Sequence, residues 1–392
     1  MVLNLCIKNG YQLLTVNIIV LKILSFHPFS LYSNGGGNRI LRRLYEGREN
    51  HVTTLVVEAS AIKPHDGSIK ETIVYATPVI QPWARWKLRN LLIWLRNKAF
   101  KPYTINKIRR AAAAISYDVL HVVDHGPFAT ALCTDVFCNK ENLWVSFHDH
   151  FLTTHGTFED SSLLWNMAKR RLVISDELGM EYQKLFGKKD YEIITDGVAE
   201  SEISEPLITD QSPVVIYFAG LLHLAYIPLF NVLANALDEL SKQGHTFKLV
   251  LRGTQQISFL QNRLFTTEYR PVTLNDAELK QELDASTILY LPIKFTQPYF
   301  YLYSLSTKMV GYLGASGAIL YHGPADSAAC HLLQKNNAAV CNTELAVNTL
   351  SEDMLNLIAN KTTIAAHAKL LAKERFNMTE IQKQFWQTNI IK

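Results

Sequence analysis

The stretch Ser304–Ser327, SLSTKMVGYLGASGAILYHGPADS, constrains the fold more than any other part of the chain. It reads as a polar loop, a helix start, a small-residue turn, a buried strand and a second loop opening a second helix. Ser306 or Thr307 is placed to cap a helix over Met309–Leu313. Gly314 and Gly317, with Ala315 and Ser316 between them, allow a tight turn. Ala318–Tyr321 is short and apolar, as a strand covered on both faces should be. His322-Gly323-Pro324 then leads into a helix expected over Ala325–Gln334, with Asp326 and Ser327 in its first turn. A helix start beside the carboxyl end of a parallel strand favours anions, and Lys308 lies at the start of the preceding helix.

The same alternation runs through the chain. Strands are expected at Val20–Phe26, Thr53–Glu58, His121–Asp124, Leu143–Phe147, Leu172–Ser175 and Tyr191–Ile194, with a helix over Asp176–Phe186. Asp196–Pro213 is polar, acidic and proline-punctuated, as a linker would be. A second series follows: strand Val214–Phe218, helix Leu229–Gln243, strands Phe247–Leu251, Thr287–Leu291 and Ala338–Cys341, then helices over Ser351–Asn360 and Thr363–Trp386. Strands alternating with helices predict α/β architecture: two Rossmann-like parallel-sheet domains facing each other across a cleft. The expected division is residues 1–205, residues 206–375 and a C-terminal helix over 376–392 that packs back on the first domain. At 392 residues, two domains are the natural expectation.

Composition excludes several classes. An apolar fraction of 48% with 19% charged residues belongs to a globular chain, not a disordered one. Five cysteines are scattered without metal-ligand spacing, which fits a reducing cytoplasm better than a disulfide framework. Leu13–Leu24 is apolar but too short to span a bilayer, and it lacks the flanks of a signal peptide. Residues 1–15 read as an extension or an upstream start. A periplasmic binding protein would share the two-domain outline but need a signal peptide, and a dehydrogenase would need a GxGxxG after a strand, which is absent. The net charge of +4 is mild and no nucleic-acid-binding module is recognised, so nucleic acid is not an expected partner.

Six segments, taken in order, resemble the retaining, family-4-type glycosyltransferases of the GT-B fold, from about residue 20 to about residue 375. They are the glycine loop Ser33–Gly37, then Asp118–Pro127, Phe147-His148-Asp149-His150, Ile194–Val198 and Tyr217–Gly220. The sixth, Ser306–Leu313, is similar to the family's P-S-K-L-x-E-Y-L and is the best match. The resemblance implies transfer of a sugar from a UDP- or GDP-sugar to a glycan or lipid-linked glycan in surface polysaccharide assembly. It implies no cofactor and no metal beyond that donor. His148 would contact the donor sugar, and Asp149 would orient it or the acceptor. Three departures stand out. Glycine occupies Gly311, where the family's glutamate binds the donor ribose; the earlier family carboxylate is missing around Tyr303; and Leu221–Tyr226 is apolar apart from His223 where the family carries Arg and Lys.

The chemistry asks for cations and amides where the departing diphosphate gains charge. The expected donor-binding groups are Gly36, Gly37, Arg39, Arg252, Ser306, Thr307, Lys308 and Ser327, and the expected catalytic groups are His148, Asp149 and Lys308. His148, Asp149, His150 and His155 also admit a zinc reading, but no third and fourth ligand appear at recognised spacing. No carboxylate nucleophile stands out, so front-face attack within an ion pair asks least of the protein. Trp83–Arg110 holds nine Lys or Arg and no Asp or Glu, interleaved with tryptophans. It reads either as a solvated helix pair with buried tryptophans or as a face for an anionic membrane, placing the protein in the cytoplasm at the inner face of the membrane. Two rival functions remain: a degenerate GT-B protein that binds nucleotide or glycan as a partner subunit, and a GT-B sugar-nucleotide epimerase.

Overall fold

The computed structural model describes residues 21–387 except 34, 59–66, 81–85, 140, 209, 211, 221, 223 and 274. The apolar run before residue 21, Trp83, Arg85, Leu221 and His223 therefore lie outside the described residues.

The first half runs β1 (Ile23–His27), α1 (Gly36–Tyr45), β2 (Val52–Glu58), β3 (Lys70–Tyr75), α2 (Trp86–Asn97), α3 (Lys101–Ala113), β4 (Val119–Val123), β5 (Leu143–Phe147), α4 (Phe158–Met167), β6 (Arg170–Val173), α5 (Asp176–Phe186) and β7 (Glu192–Ile193). Its seven strands lie in the order β3-β2-β1-β4-β5-β6-β7, every pairing parallel. The second half runs β8 (Val214–Ala219), α6 (Ile227–Lys242), β9 (Phe247–Arg252), β10 (Thr266–Arg270), α7 (Asp276–Asp284), β11 (Ile288–Pro292), α8 (Pro298–Tyr301), α9 (Thr307–Gly314), β12 (Ala318–His322), α10 (Ala328–Lys335) and β13 (Ala339–Asn342). Its six strands lie in the order β10-β9-β8-β11-β12-β13, also all parallel. In each sheet the chain first works outward in one direction and then returns to build the other side. The switch points fall between β1 and β4 and between β8 and β11, and ligand crevices of open α/β sheets open there.

The central strands are buried along their whole length, β1, β4, β5, β11 and β12 without exception, which is why they read as continuous apolar runs. One apolar cluster fills the first half and continues through Val198, Leu305, Met309 and Phe376 onto the second sheet. A second lies between that sheet and α6 and α11 (Val347–Arg375), around Phe230, Leu237, Leu320, Leu350 and Leu357.

The structure corrects the sequence reading at several edges. β3 and β10 were not expected: KETIVY and TTEYR are half-exposed edge strands without an apolar run. The predicted break within the C-terminal helices is absent, since α11 continues through it for 29 residues. The chain breaks instead at Phe376-Asn377, where Asn377 caps α12 (Met378–Trp386) through the Thr379 and Glu380 amides. α12 crosses back to α1, and Trp386 Nε1 donates to Leu44 O at 2.8 Å. Val198 N donates to Phe376 O at 2.6 Å and Met378 N to Val198 O at 3.1 Å, so Ile194–Val198 is the strip on which the returning chain lies. A Cβ on Gly197 would sit 2.9 Å from Met378 Cα, which explains glycine there.

Candidate active site

The glycine loop is part of α1, not a turn before it. α1 begins at Gly36 with Gly35 at the N-cap, so the Gly36, Gly37 and Asn38 amides are first-turn donors lacking helical partners. A Cβ on Gly36 would meet the Thr307 side chain at 3.3 Å, and one on Gly37 would meet Phe29 Cζ at 3.1 Å and His148 Nδ1 at 3.3 Å. The loop is thus pressed between the start of α9 and the loop after β5, and side chains there would push both away.

Between the sheets lies a cavity of about 500 Å³, bounded by Gly35 and Arg39 of α1, Gly220 after β8, Gly253 and Val272 after β9 and β10, Asp276 of α7, and the face of α9 carrying Thr307, Lys308, Gly311 and Ala315. Among the described residues Lys308 and Arg42 line this cavity without an ion pair, but Arg42 donates to Leu31 O, which leaves Lys308 as the freer cation. Its Nζ stands 3.8 Å from the Phe218 ring centroid, and among the described residues no ion pair engages it. Burial brings its pKa down from the ordinary lysine value to about 7. Gly220 lets the ammonium in: its φ of +143° suits glycine, and a Cβ there would lie 3.0 Å from Lys308 Nζ.

The other cations are committed. Arg39 Nε donates to Asp196 Oδ2 at 2.8 Å, and its guanidinium is 3.9 Å from Asp276. Arg252 reaches the cavity wall, yet Nε donates to Glu282 at 2.6 Å, NH1 to Pro271 O at 2.6 Å and NH2 to Glu278 at 2.7 Å, with a further bond from NH2 to Glu282. Four of its five N–H groups are therefore taken. Burial alone would raise the Glu282 pKa, but donation from Arg252, Tyr217 and Arg270 holds it at about 2. Arg252 thus stands on the cavity wall where a donor-binding group was expected, and its side chain ties β9 to α7. Ser327 lies away from the cavity. It is fully buried, its Oγ caps α10 through Cys330 N at 2.9 Å and bonds Tyr321 Oη at 2.6 Å, and it does not line the cavity. α10 starts at Ala328, not Ala325. Ser306 holds the N-cap position of α9 without a side-chain cap bond, so its expected capping role is not seen, and Thr307 faces Gly36.

On the opposite rim the histidines are uncharged and buried. His148 is 7% exposed and neither ring nitrogen has a partner. Burial, with His125 and His27 nearby, lowers its pKa to about 3. His27 bonds Phe29 O through Nδ1 at 2.6 Å and leaves Nε2 without a partner. Asp149 Oδ1 accepts from Ser304 Oγ at 2.5 Å across the cleft, and burial raises its pKa to about 6. His150 stacks on Phe151, Tyr299 and Tyr303 at 4.5, 4.8 and 5.3 Å between ring centroids. Among the described residues no group of three or more His, Cys, Asp or Glu is arranged to hold a metal. Sequence reasoning placed Phe218 and Gly220 in a matching segment without assigning them to the site, and missed Ser304 and the Arg43–Glu202 pair at 2.8 Å.

No family model matches the chain, and no curated protein matches it in sequence. Its likeness to solved structures is extensive. Sucrose-phosphate synthase from Thermosynechococcus elongatus superposes with a TM-score of 0.68 at 12% identity, covering 93% of this chain and 97% of that one. HepE from Anabaena in complex with UDP-glucose gives 0.61 at 15%, covering 93% and 98%. WaaG, a glycosyltransferase involved in lipopolysaccharide biosynthesis, gives 0.57 at 11%, covering 92% and 98%. The fold is the GT-B fold of these glycosyltransferases, as the six segments implied.

Proposed function

We propose that the protein is a hexosyltransferase that moves a sugar from a UDP- or GDP-sugar to a glycan or lipid-linked glycan in surface polysaccharide assembly, with retention of configuration. Residues 1–205 form the acceptor side and 206–375 the donor side. The observation that carries the reading is the inter-sheet cavity, lined on one side by Lys308, which no described residue pairs as a counter-ion, and on another by Gly35 at the N-cap of α1. Solved neighbours with bound UDP-glucose, and others named for lipopolysaccharide synthesis, add weight to the donor and the setting.

In this reading the donor diphosphate lies between Lys308 and the Gly36 and Gly37 amides, with Arg39 and Thr307 at its edge. Lys308 takes up a proton as the diphosphate arrives and stays charged while the leaving group gains charge. Such pre-oriented donors act where charge develops and need no reorganisation. The neutral His148 imidazole offers its unpartnered nitrogens to a sugar hydroxyl, and Asp149 fixes the loop through Ser304. With Asp149 engaged in this way, front-face attack within the ion pair suits the site better than double displacement.

A panel of UDP- and GDP-sugars, read by thermal shift and by nucleotide release, tests the reading. Stabilisation by one donor with release of its nucleotide supports transfer. Stabilisation without release favours the partner-subunit reading, which draws on the glycine at position 311 and on the ion pairs that occupy Arg252. A converted sugar nucleotide with no acceptor present points to an epimerase.

The membrane-facing part of the proposal rests on α2 and α3. Leu88, Leu91, Trp94 and Tyr103 are 52, 52, 57 and 58% exposed among the exposed cations Arg89, Lys98 and Arg110. Such a face suits an anionic membrane surface at which a lipid-linked acceptor is held. Among the described residues no helix is long and apolar enough to cross a membrane. Sedimentation with phosphatidylglycerol vesicles that is lost at high salt is expected; equal sedimentation with neutral vesicles removes this part.

A further inference from the structure

The two halves also meet around a second open space. A pocket of about 160 Å³ lies between the carboxyl ends of β6 and β7 and the start of α10, and it shares no lining residue with the inter-sheet cavity. Ser175 and Thr195 line it from the first half, Ala328, His331 and Lys335 from the second, and Arg375 from the end of α11. The α10 wall is a single face of that helix: Ala328, His331, Leu332 and Lys335 stand at i, i+3, i+4 and i+7. Leu332 is buried while His331 and Lys335 are exposed, and among the described residues no ion pair engages either of these two. The helix start adds backbone donors. Ser327 Oγ takes Cys330 N at 2.9 Å and Ser327 O takes His331 N at 3.0 Å, which leaves the Ala328 and Ala329 amides without helical partners. No acidic residue stands in that first turn.

The wall from the first half is of a different kind. Thr195 is 3% exposed and its Oγ1 has no partner, a costly state for a buried hydroxyl that a ligand can relieve. The neighbouring Ser175 Oγ is committed, accepting from Leu178 N at 3.1 Å and donating to Tyr303 O. Arg375 and Asp176 pair with each other at 3.4 Å, and Glu177 is half-buried on the same wall. One wall therefore offers positive charge and amides, which suit an anion. The other offers a hydroxyl and a carboxylate, which suit the hydroxyl groups of the molecule that carries it.

We propose that this pocket is a second ligand site, which binds a phosphate group, free or carried on a small hydroxylated molecule. The phosphate lies against the first turn of α10 with Lys335 and His331 at its edge. A hydroxyl of the carrier reaches Thr195 Oγ1 and Glu177. Because the walls belong to both halves, an occupied pocket ties the ends of β6 and β7 to α10 and holds the halves together. Binding here does not require a sugar donor in the inter-sheet cavity.

The test titrates the full-length protein by calorimetry with inorganic phosphate and with glycerol 3-phosphate at constant ionic strength, and with glycerol as the neutral control. Lys308→Ala, altered only in the other cavity, should still bind one equivalent. Adding Lys335→Glu to it should weaken that binding by about tenfold or more, as loss of a charge-assisted contact does. Lys335 is exposed, so the change spares the core. Tighter binding of glycerol 3-phosphate that Thr195→Val removes assigns a hydroxylated ligand. Equal binding of both probes, untouched by Thr195→Val, assigns free phosphate, and either result supports the site. Hydrogen exchange with the bound probe should slow in peptides covering 193–195 and 328–335, one from each half. Three results overturn the proposal: no binding of either probe, binding that Lys335→Glu leaves unchanged, or binding that Lys308→Ala abolishes with slowing confined to α1 and α9.

Discussion

The two rims of the cleft are built alike, from loops that follow parallel strands at a switch point, yet they hold their polar groups in opposite ways. On the first-sheet rim, His27 and His148 are buried, uncharged and short of partners. On the second-sheet rim, Arg252 and Arg270 are fully charged and bound to Glu278 and Glu282, and Lys308 is left over. A charge at a cleft wall is therefore a poor guide to what a ligand can use. Arg252 and Lys308 both face the cavity, but of the two only Lys308 has a charge that no described residue neutralises.

That contrast is open to direct attack. Arg252→Met leaves Glu282 to Arg270 and Tyr217 and Glu278 to Thr273, so the loss should fall below about 3–5 kcal/mol, the cost of a buried charge left wholly uncompensated. Chemical denaturation should show this loss, while turnover per folded molecule changes little. The sign with pH follows from Glu282, whose carboxyl is held at about 2, below the ordinary glutamate value of about 4.3. Its contribution is complete above the ordinary value and is lost as pH falls through about 2, so the wild-type advantage over Arg252→Met shrinks on acidification. If Arg252→Met folds as stably as wild type but cannot bind donor, the assignment of Arg252 as structural fails.

Lys308→Ala should behave the other way. Removing one donor to a developing oxyanion costs about 10²–10³ in turnover, and loss of a desolvated ammonium without a counter-ion leaves stability unchanged or improved. Unchanged turnover in a folded variant would take Lys308 out of the mechanism. A smaller effect of the same group is visible in wild type. With its pKa near 7 in the free protein, Lys308 is mostly neutral at pH 8 and must take up a proton to meet a diphosphate. Donor affinity should fall as pH rises above about 7, by up to about tenfold per unit until the bound-state pKa is reached. Calorimetry at pH 8 in buffers of different ionisation enthalpy should record proton uptake that disappears in Lys308→Ala.

The same contrast explains what the sequence could disclose. Continuous apolar strands such as Leu143–Phe147 are legible because both faces are covered, and α5 is legible because Ser175 caps it and Gly187 ends it. The edge strands β3 and β10 hide because half of each faces water, and β10 is held in part by the Lys248–Glu268 and Arg270–Glu268 pairs. At the site, residue type located Lys308 and His148 but could not separate Lys308 from Arg252. Availability depends on Glu278 and Glu282, which lie far along the chain on α7. Ser327 misled for a related reason, since one oxygen serves both the helix cap and Tyr321.

The finest discrimination concerns Gly311, in the middle of α9 and on the cavity wall. Nothing lies within 4 Å of where its Cβ would be, so alanine meets no clash. Glycine inside a helix is less favourable than alanine by about 0.5–1 kcal/mol. Gly311→Ala should therefore raise stability by roughly that amount, a gain that thermal or chemical denaturation can resolve. If the bare helix backbone is where a donor group makes contact, the added methyl weakens donor binding while the fold becomes stronger. If the space at Gly311 is unused by the ligand, affinity stays level and only stability moves. A variant that gains stability and loses affinity places the donor against α9, whereas one that loses stability shows that the space is needed by the protein itself.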